Sequence, residues 1–150
     1  MQRAVDLAVE NVRENWGGPF GAIVVCDGVV IAEGANAVTS LNDPTAHAEV
    51  LAIRRACQSL GRFELRDCEL YTSCEPCPMC LGAIYWARLG RLWYACTKED
   101  AAAAGFDDSF IYQQIPLPPE ARSTPTRQLL REPGLAAFDA WRASSRKIPY

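Results

Sequence analysis

The sequence predicts an α/β domain with a central sheet and helices packed on its faces. Three observations lead there. Short β-rich runs alternate with stretches of helical periodicity. An Asp27-Gly28 dipeptide separates two β-rich runs, the pattern of a tight antiparallel hairpin. The chain has 150 residues, 49% of them hydrophobic, and a single domain of that size buries roughly 68–70% of its unfolded surface without staples.

Each element has a local signal. Residues 4–14 carry apolar side chains at 4, 5, 8, 9 and 12, one face of an amphipathic helix. Residues 20–26 and 29–38 are the β-rich runs around Asp27-Gly28. Asn42-Asp43-Pro44 reads as a loop leading into a helix over 45–59. Residues 68–73 read as a buried strand, 77–88 as a helix opened by Pro76, 91–96 as another strand and 98–104 as a short helix. This alternation predicts parallel neighbours in the sheet, with the hairpin adding an antiparallel strand, so the sheet is mixed. After residue 115 the texture changes. Prolines at 116, 118, 119, 125 and 133 favour extended backbone, and 135–145 reads as a helix carrying Phe138 and Trp141. Residues 1–150 are therefore expected to form one domain, with 116–150 an arm that ends in a docked helix.

Composition excludes several classes. No apolar run approaches the ~18 residues a membrane span needs. The acidic, helix-patterned first fourteen residues do not suit a signal peptide, so a cytoplasmic protein is expected. The net charge is −3, and adjacent basic residues occur only at 54–55 and 146–147, a poor match to a surface that tracks a phosphate backbone. Of the seven cysteines, Cys26, Cys57, Cys68 and Cys96 sit among apolar neighbours and read as small buried core residues. An odd count with no export signal argues against a disulfide framework.

The remaining cysteines crowd into residues 74–80, thirty residues beyond the sole histidine, His47. His47 with Cys77 and Cys80 is metal-ligand spacing, and imidazole plus thiolates favour zinc, one ion per chain. Cys77 and Cys80, three apart, share a helix face in a first turn, where the helix dipole stabilises thiolates. His47 and Glu49 lie about 200° apart around an ideal helix. They converge only at a helix start, where the preceding turn puts them. Three ligands leave a fourth position for a water, whose pKa zinc lowers to around 7. Glu49 is the carboxylate beside it and suits a proton shuttle. Two blander arrangements compete: a closed Cys₃His knot that adds Cys74, and a merely buried histidine.

These residues resemble the cytidine deaminase-like zinc deaminase superfamily, whose signature is H-x-E followed by P-C-x-x-C. The resemblance runs along the chain. Residues 45–49 and 74–80 are specific to the superfamily; residues 17–22, 42–49, 81–88 and 104–110, with the aromatic terminus Tyr150, look like its bacterial guanine deaminase branch. It implies a three-layer α/β/α fold with a central mixed sheet and hydrolysis of guanine to xanthine and ammonia. It implies zinc on His47, Cys77 and Cys80, with Glu49 as shuttle. It further implies that Asp108 handles the departing amino group and that Asn36 and Ala48 contact the base. Phe20, Trp86 and Tyr150 line or cap the pocket, and two chains pair with exchanged C-terminal arms.

Plainer readings stand beside these. Phe20 and Trp86 fit a simple core, Asn36 a turn, and Asp107 or Asp108 a helix cap. Tyr150 fits a frayed end. A tRNA adenosine deaminase shares the zinc motifs. Cytosine, cytidine, an aminotriazine or a guanine nucleoside are further substrates to weigh, and a structural zinc module is the non-enzyme alternative.

Overall fold

A computed structural model describes residues 1–150. The first helix, α1 (Gln2–Arg13), buries Ala4, Ala8 and Asn11. The hairpin follows as β1 (Gly21–Cys26) and β2 (Val29–Ala35). Asp27 and Gly28 both take left-handed backbone, φ 50° and 77°. That geometry matches the twist of paired strands. Next come a short helix α2 (Val38–Leu41), helix α3 (Ala48–Leu60), strand β3 (Cys68–Cys74), helix α4 (Pro78–Trp86), strand β4 (Arg91–Cys96) and helix α5 (Lys98–Ala103).

The sheet order is β2-β1-β3-β4. β1 runs antiparallel to both β2 and β3, and only β3 and β4 are parallel. The sheet is mixed, as expected, but its parallel character is confined to one pair because β1 lies between β2 and β3. Helices cover both faces. A Cβ on Gly21 would lie 2.3 Å from the Ala4 carbonyl oxygen in α1, and one on Gly34 would lie 2.2 Å from that of Ala48 in α3. Gly34 pairs with Ala22, the neighbour of Gly21, so the two glycines face opposite sides. α1 and α3 therefore sit on opposite faces, giving three layers. The main core joins Ala22, Val24, Ala52, Ile53, Leu70 and Ile84. Fully buried Leu65 and Leu70 each contribute about 1.5–3 kcal/mol of hydrophobic stabilisation.

Three boundaries move by three residues or more. Helix α3 starts at Ala48 rather than at 45, because Thr45 and Ala46 are held in the turn at Asp43. β2 stops at Ala35 rather than at 38, because residues 38–41 turn into α2. There the Asn36 side chain takes the Val38 N–H, and the Ala37 N–H goes to the Ala46 carbonyl. The last helix, α7 (Arg131–Ala143), starts four residues before the expected 135. Its Pro133 falls in the first turn, where a missing N–H costs nothing.

The chain forms two compact units, Met1–Asp108 and Ser109–Tyr150. The second holds helix α6 (Ser109–Gln114), a 3-10 turn at Pro119–Ala121 and α7. Within it the Ser123 N–H donates to the Gln114 side chain at 2.7 Å. Phe138 and Trp141 are exposed in the single chain.

The cysteine expectation needs correction. Cys26 and Cys68 are buried, but they form a disulfide. They are directly paired residues of the antiparallel β1–β3 ladder, a juxtaposition invisible in a spacing of 42 residues. Cys57 is half-buried and Cys96 is exposed, so neither is a full core residue. No helix is long and apolar enough to cross a membrane.

Candidate metal centre and active site

The loop before α3 is shaped by Asp43. Its carboxylate accepts from the Thr45 N–H at 2.8 Å and the Thr45 hydroxyl at 2.7 Å, and its carbonyl accepts from the Ala46 N–H. Those bonds hold the Asp43 carboxyl below the usual carboxylate range. The turn delivers His47 to the N-cap of α3, with Glu49 in the first turn. Across the site, β3 ends at Cys74 and Cys77 caps α4 with Pro78 in its first turn. Two helix starts thus converge, each the positive end of a dipole.

His47, Cys77 and Cys80 offer ligand atoms that all lie within 4.8 Å of one another. His47 Nδ1 is 3.6 Å from Cys77 Sγ and 3.4 Å from Cys80 Sγ. Tetrahedral zinc with ordinary Zn–S and Zn–N bonds sets such ligands about 3.5–3.8 Å apart. Donor chemistry and spacing therefore both fit zinc. Cys74 is not in the cluster. Its thiol donates to the Thr97 carbonyl at 3.4 Å, and burial pushes its pKa up to about 11. The closed Cys₃His knot is not formed.

Among the protein groups, hydrogen bonding from Cys80 and His47 pulls the Cys77 thiol down to about 4. Cys80 is raised, first by its bond to the Cys77 thiolate and then by burial. The Cys77 thiolate raises His47. Glu49 is 6% exposed, and burial lifts its carboxyl above the usual range.

Residues 1–96 match the cytidine and deoxycytidylate deaminase zinc-binding region. The chain belongs to this zinc deaminase family. It is 59% identical to the guanine deaminase of Bacillus subtilis (strain 168), over 100% of this chain and 96% of that protein. The X-ray structure of guanine deaminase from Bacillus subtilis superposes with a TM-score of 0.97, over 99% of this chain and 95% of that one. A tRNA-specific adenosine deaminase of Agrobacterium fabrum is 51% identical, over 63% of this chain and 62% of its own length.

Around the deaminase centre the other expected site residues are placed unevenly. Asn36 is buried, and its Oδ1 accepts from the Gly18 and Val38 N–H groups, both at 3.3 Å. Two N–H partners fix the amide orientation and identify the oxygen side. The next residue, Ala37, bonds to Ala46 beside His47. Phe20 packs edge-to-face on Phe106 at 4.9 Å, which brings the segment ending in Asp108 over the Phe20 edge. Asp108 is half-buried whereas Asp107 is exposed. Burial and the charge on Cys77 raise the Asp108 carboxyl.

The side chain of Ala48 is fully buried, so it can offer the site only its backbone N–H, which a helix start leaves without an intrahelical partner. Trp86 is exposed at the far end of α4, roughly 13 Å along the axis from Cys77. The single chain does not bring it to its own metal site. Tyr150 is exposed in the second unit.

Sequence reading missed three residues that shape this centre. Ser73 Oγ accepts from the Gly21 N–H at 3.0 Å, and Glu75 accepts from the Lys98 N–H at 3.2 Å. Asn11 donates to the Gly18 and Asn36 carbonyls, both at 2.8 Å. Asn11 had a signal. It falls on the Ala4–Ala8 stripe at helical spacing, a polar residue on an apolar face.

Proposed function

We infer that this deaminase hydrolyses guanine to xanthine and ammonia. The observation that carries the reading is the extent of the match. Similarity to a guanine deaminase runs through all 150 residues, whereas the tRNA adenosine deaminase match covers 63% of the chain. Scattered basic residues give no phosphate-tracking face, which disfavours a nucleic acid substrate.

In the reaction a C2–O bond forms from water and the C2–N bond to the amino group breaks. Zinc on His47, Cys77 and Cys80 supplies Lewis acidity that makes water nucleophilic near neutral pH. Glu49 takes one proton from the attacking water and delivers it to the ring nitrogen N3, which keeps it in xanthine; it then carries the second proton, from the new C2 hydroxyl, to the departing amine. Its burial beside Cys80 keeps bulk water from short-circuiting that transfer. Asn36 donates its amide N–H groups to acceptor atoms of the base. The Ala48 N–H adds a donor at the start of α3. Asp108 receives the amino group as it leaves.

Phe20 lines the pocket, and Trp86 and Tyr150 line or cap it in a homodimer with exchanged C-terminal arms. Support for pairing comes from the exposed aromatic surface of Trp86, Trp93, Tyr94, Phe138 and Trp141, a pattern typical of interaction faces. On this reading 1–150 works as one domain with 116–150 as its arm. We place the enzyme in the cytoplasm, whose reducing poise keeps Cys77 and Cys80 available as thiolates; the Cys26–Cys68 bridge runs against that placement.

Turnover of guanine in ¹⁸O-labelled water tests the chemistry. The expected result is xanthine with one labelled oxygen at C2 and an equal amount of ammonia. Unlabelled product, or no product from zinc-loaded protein, rejects it.

A further inference from the structure

We propose that Asn11 is a positioning residue for the substrate-binding side-chain amide of Asn36. From α1 it holds the Asn36 backbone so that Asn36 presents its N–H groups to the base. This rests on the base-binding reading of Asn36. Asn11 is 2% exposed. Its Nδ2 donates both hydrogens, one to the Gly18 carbonyl and one to the Asn36 carbonyl, each at 2.8 Å. A buried amide costs stability unless bonded, and an aliphatic residue would fill the same helix face without that cost. Asn11 therefore does something that packing alone does not require.

What it does is close a circuit around Asn36. The Gly18 N–H donates to Asn36 Oδ1 while the Gly18 carbonyl is held by Asn11. The Asn36 N–H donates to the Phe20 carbonyl at 3.0 Å. The Asn36 main chain is thus fixed at both its N–H and its carbonyl, and the side-chain oxygen is fixed as well. Gly17 lies directly on this clamp. A Cβ there would sit 2.1 Å from the Asn36 carbonyl oxygen and 3.0 Å from Asn11 Nδ2. Because the amide is planar, fixing Oδ1 also fixes the direction of the NH₂, the part that meets the base.

A merely structural Asn11 would lower stability and leave the Michaelis constant alone. The test uses full-length, zinc-loaded Asn11→Ser, Asn36→Ala and the double variant, with steady-state guanine deamination and zinc content measured for each. Asn11→Leu, which fills the buried position without any donor, serves if Asn11→Ser does not fold. We expect Asn11→Ser to raise KM about tenfold with kcat within about threefold. In the Asn36→Ala background it should add no further loss, the mark of two residues acting through one contact. Wild-type KM in a folded Asn11 variant, beside a raised KM in Asn36→Ala, overturns the positioning role alone. Additive losses also overturn it. Unchanged KM in Asn36→Ala instead removes the base-binding reading, and a raised KM for Asn11→Ser in that case shows that Asn11 acts elsewhere.

Discussion

Glu49 and Cys80 are neighbours; on the proposed mechanism Glu49 moves protons, whereas Cys80 would lose its own as it binds metal. Replacing Glu49 by Ala should lower kcat by roughly 10²–10⁴ while the protein keeps about one zinc per chain. A structural zinc module would instead keep its partner affinity. Metal content and turnover measured on one preparation separate the two. Cys80 is raised above its ordinary value by the Cys77 thiolate and by burial, so it carries its proton until metal arrives. Zinc titrated into metal-free protein at neutral pH should release at least about one proton per ion. An indicator dye in weak buffer reads this directly, and binding without release would show that Cys80 is not a ligand. His47, Glu49, Cys77 and Cys80 were legible in the sequence because their spacing is itself chemistry. Ser73 was not, and Asn11 showed only as a polar residue on an apolar helix face. Their partners are backbone atoms brought close by tertiary packing, which spacing does not reveal.

Two elements aim the site. α3 begins at His47 and α4 begins after Cys77, so both helix starts face the metal ligands. The seat of α3 depends on Gly34, where the strand meets the Ala48 carbonyl without a Cβ between them. Gly34→Ala should push α3 off the sheet, lowering stability by about 1–3 kcal/mol. That corresponds to roughly 3–10 °C in Tm for a domain of this size. Because α3 carries His47 and Glu49, zinc affinity should fall with it. Unchanged melting and metal binding would mean that α3 is not seated there. At this scale the sequence located every element of the first unit except α2, and opened α4 one residue early and α3 three residues early. It missed how far β1 reverses the sheet, because strand pairing partners lie far apart in sequence. It also missed the Cys26–Cys68 bridge for the same reason.

For the whole molecule, the question is what the second unit does. Its apolar side chains, including Leu129, Leu130, Phe138 and Ile148, are exposed in the single chain. If arms exchange between two chains, light scattering should give a dimer. Deleting residues 147–150 should then impair turnover more than zinc binding. A monomer with normal kinetics after that deletion rejects the capping role of Tyr150. The sequence suggests an arm from residue 116, whereas the chain's compact units are Met1–Asp108 and Ser109–Tyr150. Sequence could not show what such an arm covers, since that depends on a surface rather than on a motif.

The central claim is that this zinc centre is built for a free purine base and for guanine in particular. The most direct measurement is ammonia release, with product identification, from zinc-loaded protein given guanine, guanosine, adenine, cytosine and a tRNA anticodon stem-loop separately. The expected result is xanthine from guanine, with little or no turnover of the others. Inosine in the stem-loop with guanine untouched would contradict the claim, keeping the zinc chemistry and the fold but assigning them to a different substrate.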